Sequence, residues 1–318
     1  MKEDKKKLLA KIAYMYYEQE LTQAQIAKEL AIYRTTVSRM LSQAKKQGIV
    51  EIKINHFDAS LFELEEKLKQ TFGLTAVELI PTENDANEEA KEEQLAEAAS
   101  AWIRRQLTDE MVIGLSWGAS VGRAINKIDA KQLSNVSVVP VVGGPSHINS
   151  RYHVNTLVYE LARKLNGTSL FVNATVIQET KELAEGIFHS KYFHDLKEYW
   201  KRLDFVIVGI GGPLSYHKSQ WRDLLSAADY EELKLREAVG DCCCRFYDAY
   251  GKRLNGALNQ RTIGLTLEEL ANVPQSVGIA RGISKARSIA PLLEKGYLKT
   301  LITDQETAQE ILRVHQRK

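Results

Sequence analysis

"MVIGLSWGASVGRAINKI", residues 111–128, decides the fold. Met111, Val112 and Ile113 are an apolar run that opens the strand "MVIGL", a tight turn follows, and Ala119 to Ile128 have helical spacing. The neighbouring sequence repeats this βα order. "TAVELI", "VSVVPVV", "DFVIVGI", "QSVGIA" and "LKTLIT" read as strands, and residues 88–107 and 154–165 read as helices. A helix follows each of the last two strands. Strands alternating with helices predict a doubly wound, mostly parallel α/β sheet. The acidic groups of 88–107, with Lys91, read as a solvated face.

The same stretch poses a chemical question. "GLSWG" fits G-x-S-x-G, the nucleophile elbow of hydrolases, with Ser116 as nucleophile. That chemistry needs an acid and then a histidine further along. Only His315 follows the late acids Asp241, Asp248 and Asp304, in a tail expected to fray. An earlier pair such as Asp204 and His217 is marked by nothing else. The competing reading is an anion cradle. Gly118, Ala119 and Ser120 at a helix start offer backbone N–H groups, a hydroxyl and the positive helix end. Three strands end in small loops, "SWGAS", "VGGPS" and "GIGGP", and open α/β sheets bind ligands outside the carboxyl ends of their strands. Gly143 and Gly144 permit close backbone approach.

The chain of 318 residues is comfortable for two domains. Its charged fraction of 26% and hydrophobic fraction of 44% are those of a soluble protein. The start, "MKEDKKK", has no apolar run behind it, so no signal peptide is expected, and no apolar run approaches the roughly 20 residues of a membrane span. The three cysteines are consecutive, Cys242 to Cys244, which suits neither a disulfide framework nor a zinc site. Their expected role is core packing, alternating in a strand, in a reducing cytoplasmic compartment. No metal or organic cofactor is expected. The net charge of +2 conceals an asymmetry: residues 1–56 carry 11 Lys and Arg against 6 Asp and Glu. A basic head on a mildly acidic body suggests a nucleic-acid module.

Three short helical patterns make up that head. Leu8, Leu9, Ile12, Ala13 and Tyr16 share one face. Thr22 and Gln25 spell a capping box, before an apolar face of Ile26, Ala27 and Leu30. The third helix, from Arg34 to Lys46, turns Val37, Met40, Leu41 and Ala44 inward. "AIY" leaves a turn of helix-turn-helix length, with Ala31 where glycine is common. Outward-facing Arg34, Thr35, Ser38, Arg39 and Ser42 suit base edges and phosphates; Lys45, Lys46 and Lys53 can add phosphate contacts. Tyr33 and Thr36, with Thr22 and Gln23 at the second helix start, complete the expected DNA contacts. Gly48 ends the helix, and "IVEIKI" alternates like a short strand, a small wing or connector. A bridging helix over 58–73, capped by Asp58 and stopped by Gly73, carries a stripe of Leu61, Leu64, Leu68 and Phe72. It either pairs with another copy or docks on the body. The domains are therefore 1–57 and 58–318.

The chain resembles the SorC family of bacterial transcriptional regulators, through "YYEQELTQAQIAKELAIYRTTVSRML", "GLSWGAS", "SRYHVNTL", "GDCCCRFYDAYG" and "GIARGISKARSIAPLLEKGYLKTLITDQETAQEIL". "YRTTVSR" with "SRYHVNTL" points within it to regulators of sorbose or sorbitol operons. The resemblance implies a helix-turn-helix (winged-helix-like) head and an effector domain related in fold to sugar-phosphate isomerases and deaminases. That domain would act as a sensor of a phosphorylated sugar or hexitol and not as an enzyme, in a homo-oligomer, dimer or tetramer, bound to double-stranded operator DNA. It places the phosphate loop on Ser116, Trp117, Gly118, Ala119 and Ser120, and the second glycine loop on Gly143 and Gly144. Sugar-facing polar residues fall on His153 and Asn155, the signature acid on Asp241 and the "A-x-G-x-x-K" lysine on Lys285, which is left as the cation for the phosphate because neither glycine loop holds an arginine. Residues 140–155 hold no lysine, which argues against covalent sugar capture, and Val142 stands where an arginine would hold a second phosphate. The alternative is an isomerase- or deaminase-like enzyme fused to a DNA-binding head.

Overall fold

A computed structural model gives the architecture and describes residues 2–50, 59–81, 87–145, 150–214, 222 and 224–317. The chain forms two compact units, Met1–Asp58 and Ala59–Lys318.

The first unit holds helices α1 (Lys2–Tyr17), α2 (Gln23–Glu29) and α3 (Arg34–Lys46). The Thr22 hydroxyl accepts the Gln25 N–H at 3.3 Å, and the Gln25 side chain accepts the Thr22 N–H at 2.9 Å. These bonds satisfy two donors that a helix start leaves unpaired. Ile12, Ile26, Val37 and Ala44 close a small core. Leu8 departs from the expected inner face: it is exposed, and Met15 is buried in that core instead. Ala31 adopts φ +53°, so the turn uses the left-handed region without a glycine, at a cost of about 1 kcal/mol. Burial of the neighbouring helix faces offsets it. Gly48, at φ +67°, ends α3, and the Ile49 N–H bonds the Ala44 carbonyl at 2.9 Å. Ile49 and Val50 therefore close the helix and are not strand residues. The rest of the expected strand, including Lys53, lies outside the described residues, as does the Asp58 cap.

The second unit opens with α4 (Ala59–Phe72), stopped by Gly73 at φ +67°. Leu61, Leu64, Leu68 and Phe72 all pack on the body's core, so of the two readings of this stripe the docked one holds. Seven strands follow in one sheet: β1 (Ala76–Ile80), β2 (Val112–Leu115), β3 (Ser137–Pro140), β4 (Thr168–Ser169), β5 (Phe205–Gly209), β8 (Gln275–Ile279) and β9 (Thr300–Asp304). Their order is β1-β9-β8-β5-β2-β3-β4, and every pairing is parallel. The other helices of this unit are α5 (Glu88–Gln106), α6 (Ala119–Lys127), α7 (Val154–Leu165), α8 (Lys181–His189), α9 (Lys191–Trp200), α10 (Ala227–Leu235), α11 (Ala257–Arg261), α12 (Leu267–Asn272), α13 (Ala286–Glu294) and α14 (Gln305–Gln316), among the described residues. From β2 the chain builds outward through β3 and β4, then returns to β5 on the other side of β2. This reversal is the switch point at which such sheets open a crevice.

Two expectations are corrected. The cysteine run is not a strand: β6 (Gly240–Cys242) and β7 (Arg245–Tyr247) form an antiparallel hairpin outside the main sheet. Cys243 and Cys244 are its two turn residues, at φ +52° and +57°. Paired left-handed residues are what a tight hairpin requires, usually as Asn-Gly. The carboxyl tail is not frayed either. Helix α14 continues to Gln316, and His315 Nδ1 lies 2.9 Å from Glu294 Oε1 with its ring edge-on to Phe72.

Candidate functional site

The loops after β2, β5 and β8 surround a cavity of about 640 Å³, with α5 and the β6–β7 turn completing the wall. That volume suits a ligand of sugar-phosphate size.

The loop after β2 answers the question posed by "GLSWG". Ser116 is 4% exposed and its backbone φ is not positive. Its N–H donates to the Ile207 carbonyl at 3.0 Å, and its Oγ accepts the Gly209 N–H at 3.1 Å. Among the described residues, no histidine or carboxylate bonds Ser116. The hydroxyl ties the end of β2 to the end of β5; it is not set up for attack. Gly118 follows at φ +136° as the cap of α6, without a side-chain cap bond. An added Cβ at Gly118 would meet nothing within 4 Å, so backbone conformation selects glycine here. Gly118, Ala119 and Ser120 line the cavity, which therefore meets the N-terminal end of α6. A helix start of this kind favours anions.

Opposite groups carry charge. The Asp241 carboxylate lies against Gly211, where an added Cβ would sit 2.0 Å from Oδ1. Arg222 Nη2 donates to Asp241 Oδ1 at 2.9 Å. Lys285, in a short 3-10 turn ahead of α13, donates from Nζ to the Ile210 carbonyl at 3.0 Å. Burial lowers the Lys285 pKa, against the opposing pull of Glu92 and Asp241. Lys285 has no carboxylate partner among the described residues. Arg281, in the same loop, donates from Nε to Asp304 and from Nη1 to Glu88 and Glu92, each at 3.0 Å. Burial pulls the Arg281 pKa down, and the bonds to Glu88, Glu92 and Asp304 outweigh it and raise it.

The cavity thus gathers Ser116 to Ser120, Asp241 and Lys285. The second glycine loop lies behind this wall. Trp117 Nε1 donates to the Gly143 carbonyl at 2.9 Å, and Val142 is the part of that loop that lines the cavity. Gly143 lies so near the Thr175–Val176 backbone that a Cβ would be 2.7 Å from the Thr175 carbonyl. His153 caps α7, its Nδ1 accepting the Asn155 N–H at 3.2 Å, and packs against Gly144. Burial lowers the His153 pKa and keeps the ring a neutral acceptor. The Asn155 side chain bonds both the N–H and the carbonyl of Val172 at 2.9 Å. In these positions His153 and Asn155 brace the loop; neither they nor Gly143 and Gly144 line the cavity.

Two expectations about charge change. Lys285 is not the lone cation of the site, because Arg222 and Arg281 join it. Nor is α5 wholly a solvated face. Glu89 and Glu93 pair with Arg123, and Glu93 and Glu97 with Lys127, but Glu88 and Glu92 reach the cavity. The spacing of Arg281 and Lys285, four apart in one loop, was the signal for a second cation. Nothing in the sequence marked Arg222. Cys243 and Cys244 also line the cavity.

In the first unit, Tyr33, Arg34, Thr35, Ser38 and Arg39 are exposed along α3, and Thr36 is half-buried. Neither arginine has a carboxylate partner among the described residues, which leaves both available to phosphate or base edges. Thr22 is exposed with its hydroxyl engaged by Gln25, and Gln23 is half-buried. Among the described residues no helix is long and apolar enough to cross a membrane, and no His, Cys, Asp and Glu cluster could hold a metal ion.

A helix-turn-helix head and an α/β body with a switch-point cavity define a ligand-responsive DNA-binding protein. Known proteins agree. Residues 58–313 match the family described as "Putative sugar-binding domain". The sorbitol operon regulator of Klebsiella pneumoniae is 36% identical, over 96% of this chain and 98% of its own. The deoxyribonucleoside regulator of Bacillus subtilis is 27% identical, over 98% and 99%. The crystal structure of the full-length sorbitol operon regulator SorC from Klebsiella pneumoniae superposes with a TM-score of 0.76, covering 97% of this chain and 99% of that one. A transcriptional regulator from Streptococcus pneumoniae TIGR4 gives a TM-score of 0.78 at 42% identity, over 82% and 99%. The chain belongs to the SorC family of bacterial transcriptional regulators. It is a transcriptional regulator with a sugar-binding domain, and the reading as a fused enzyme finds no support among its relatives.

Proposed function

We propose that this regulator works in the cytoplasm and answers to a monophosphorylated sugar or hexitol of the sorbitol or sorbose type. The observation that carries the reading is the start of α6 at Gly118, opening into a cavity that also holds Lys285. A phosphate there receives backbone N–H groups, the helix end and a nearby ammonium. The apolar Val142 offers no charge to a second phosphate. Asp241 and Glu92 suit sugar hydroxyls, since ionised carboxylates accept hydrogen bonds. The 36% identity to a sorbitol operon regulator supports the choice of sugar.

One head of three short helices contacts too little DNA for high specificity, so the working form is a dimer or tetramer on a palindromic operator. A thermal-shift and calorimetric screen tests the effector. Hexitol and ketose phosphates should stabilise the protein and their unphosphorylated sugars should not, by about 2.7 kcal/mol at 100 times the dissociation constant. Equal response to free sugars removes the phosphate from the reading. Sedimentation of the protein alone and with operator DNA tests the assembly, and a strict monomer in both refutes it.

A further inference from the structure

Arg281 holds three carboxylates of very different standing. The guanidinium is 6% exposed and Asp304 7%, and both lie at the carboxyl edge of the sheet. Asp304 also accepts the Thr307 N–H at 2.8 Å, so its two oxygens are both engaged and it fixes the guanidinium plane. Glu92 is partly covered, at 26%. Glu88 is 80% exposed, in the first turn of α5, and touches Arg281 through Nη1 alone. Exposed carboxylates gain little from such pairs. Nη2 has no partner among the described residues. A rigid guanidinium beside a cavity, with one nitrogen unbonded and another shared by two carboxylates, suits a bidentate oxyanion better than it suits Glu88.

We propose that Arg281 is a ligand for the effector's phosphate and that Glu88 is its built-in substitute, displaced when the phosphate arrives. The inference rests on the reading that an anion binds at the start of α6. Charge demands the exchange. Both Glu88 and the α6 start line the same cavity, so a dianion entering it would face a carboxylate held in place. Like charges repel, and Glu88, already largely in water, leaves by rotating its own side chain. Effector entry therefore frees the first turn of α5 from the β8 loop, which couples cavity occupancy to the position of that helix end.

The test is calorimetric titration of the full chain with inorganic phosphate at low ionic strength. Glu88→Gln should bind about two- to fivefold more tightly than the unaltered chain, the scale of one exposed ion pair. Glu89→Gln makes the same charge change one residue away, on a carboxylate bonded to Arg123, and should leave affinity unchanged. Phosphate should also move the Glu88 carboxyl titration, followed by NMR, upward toward the ordinary carboxylate range. If the unaltered chain ignores phosphate, the anion reading falls and this inference with it. If it binds phosphate but Glu88→Gln gains nothing, or Glu89→Gln gains as much, the exchange alone is overturned.

Discussion

Ser116 Oγ accepts the Gly209 N–H at 3.1 Å, joining the ends of β2 and β5 on either side of the point where the strand order reverses. The bond holds two cavity loops in register. Ser116→Ala should therefore cost about 1 kcal/mol, a neutral hydrogen bond lost where cavity water can partly replace it. Effector affinity should fall with it. No esterase activity should disappear, because among the described residues, which do not include His217, no base addresses the hydroxyl. Chemical denaturation and an activated-ester assay check both parts. A product burst abolished by the substitution would restore the nucleophile reading.

On the DNA side, Arg34 and Arg39 stand exposed on α3. Arg34→Ala and Arg39→Ala should each weaken operator binding by about 1–3 kcal/mol if they contact bases, and relax specificity at one position. Their effector binding should be unchanged, since every described residue lining the cavity belongs to the other unit. Mobility-shift assays with the operator and single-base variants measure this. Unaltered binding by both variants would remove α3 from the groove.

Cys242 and Cys244 should be inert. Burial and its neighbours Cys243 and Asp241 raise the Cys242 thiol well above its ordinary pKa, with the Cys243 hydrogen bond first among the causes. Burial, with Asp241 and Cys243, does the same to Cys244. Thiolate is the reactive form, so a raised pKa leaves little of it at neutral or mildly alkaline pH. Alkylation of the native chain should be slow at both residues and become fast on unfolding. Rapid labelling of native Cys244 at neutral pH would show a thiol activated by the cavity.

Much of this was readable in the residues, for definite reasons. The α3 face was legible because Val37, Met40, Leu41 and Ala44 keep helical spacing and all are buried. The sheet was legible because parallel strands are covered on both faces and read as unbroken apolar runs, as in Phe205 to Val208. The β6–β7 hairpin was not, because Cys243 and Cys244 occupy positions that ordinarily carry Asn-Gly and give no turn signal. The small-residue loop at the start of α6 was legible as a local motif. Arg281 carried a signal in its place four residues ahead of Lys285, but Arg222 carried none, since it follows a different strand and no local spacing encodes strand order. Glu88 and Glu92, four apart on a charged helix, look like surface until Arg281 is placed between them.

Lys285 is where affinity and stability should part. Its folded-state pKa is lowered by burial, so the charged form is disfavoured in the folded chain. The unfolded chain binds this proton more readily, so the penalty is complete below the folded pKa and fades as pH rises toward the ordinary lysine value. Lys285→Met should therefore raise the melting temperature at neutral pH, with the gain shrinking in alkali. On the proposed reading the same ammonium would face an incoming phosphate, and charged hydrogen bonds contribute about 1.5–3 kcal/mol. Lys285→Met should accordingly weaken effector binding roughly ten- to a hundredfold. In the unaltered chain, effector affinity should begin to fall at a lower pH than an ordinary lysine would dictate. Operator binding without effector should survive, giving a regulator that holds DNA and ignores its sugar. Calorimetry of the variant across pH, beside thermal unfolding at each pH, separates the two effects. Normal effector affinity in Lys285→Met would take the residue out of the site, and a lowered melting temperature at neutral pH would show that its charge is not a burden on the fold.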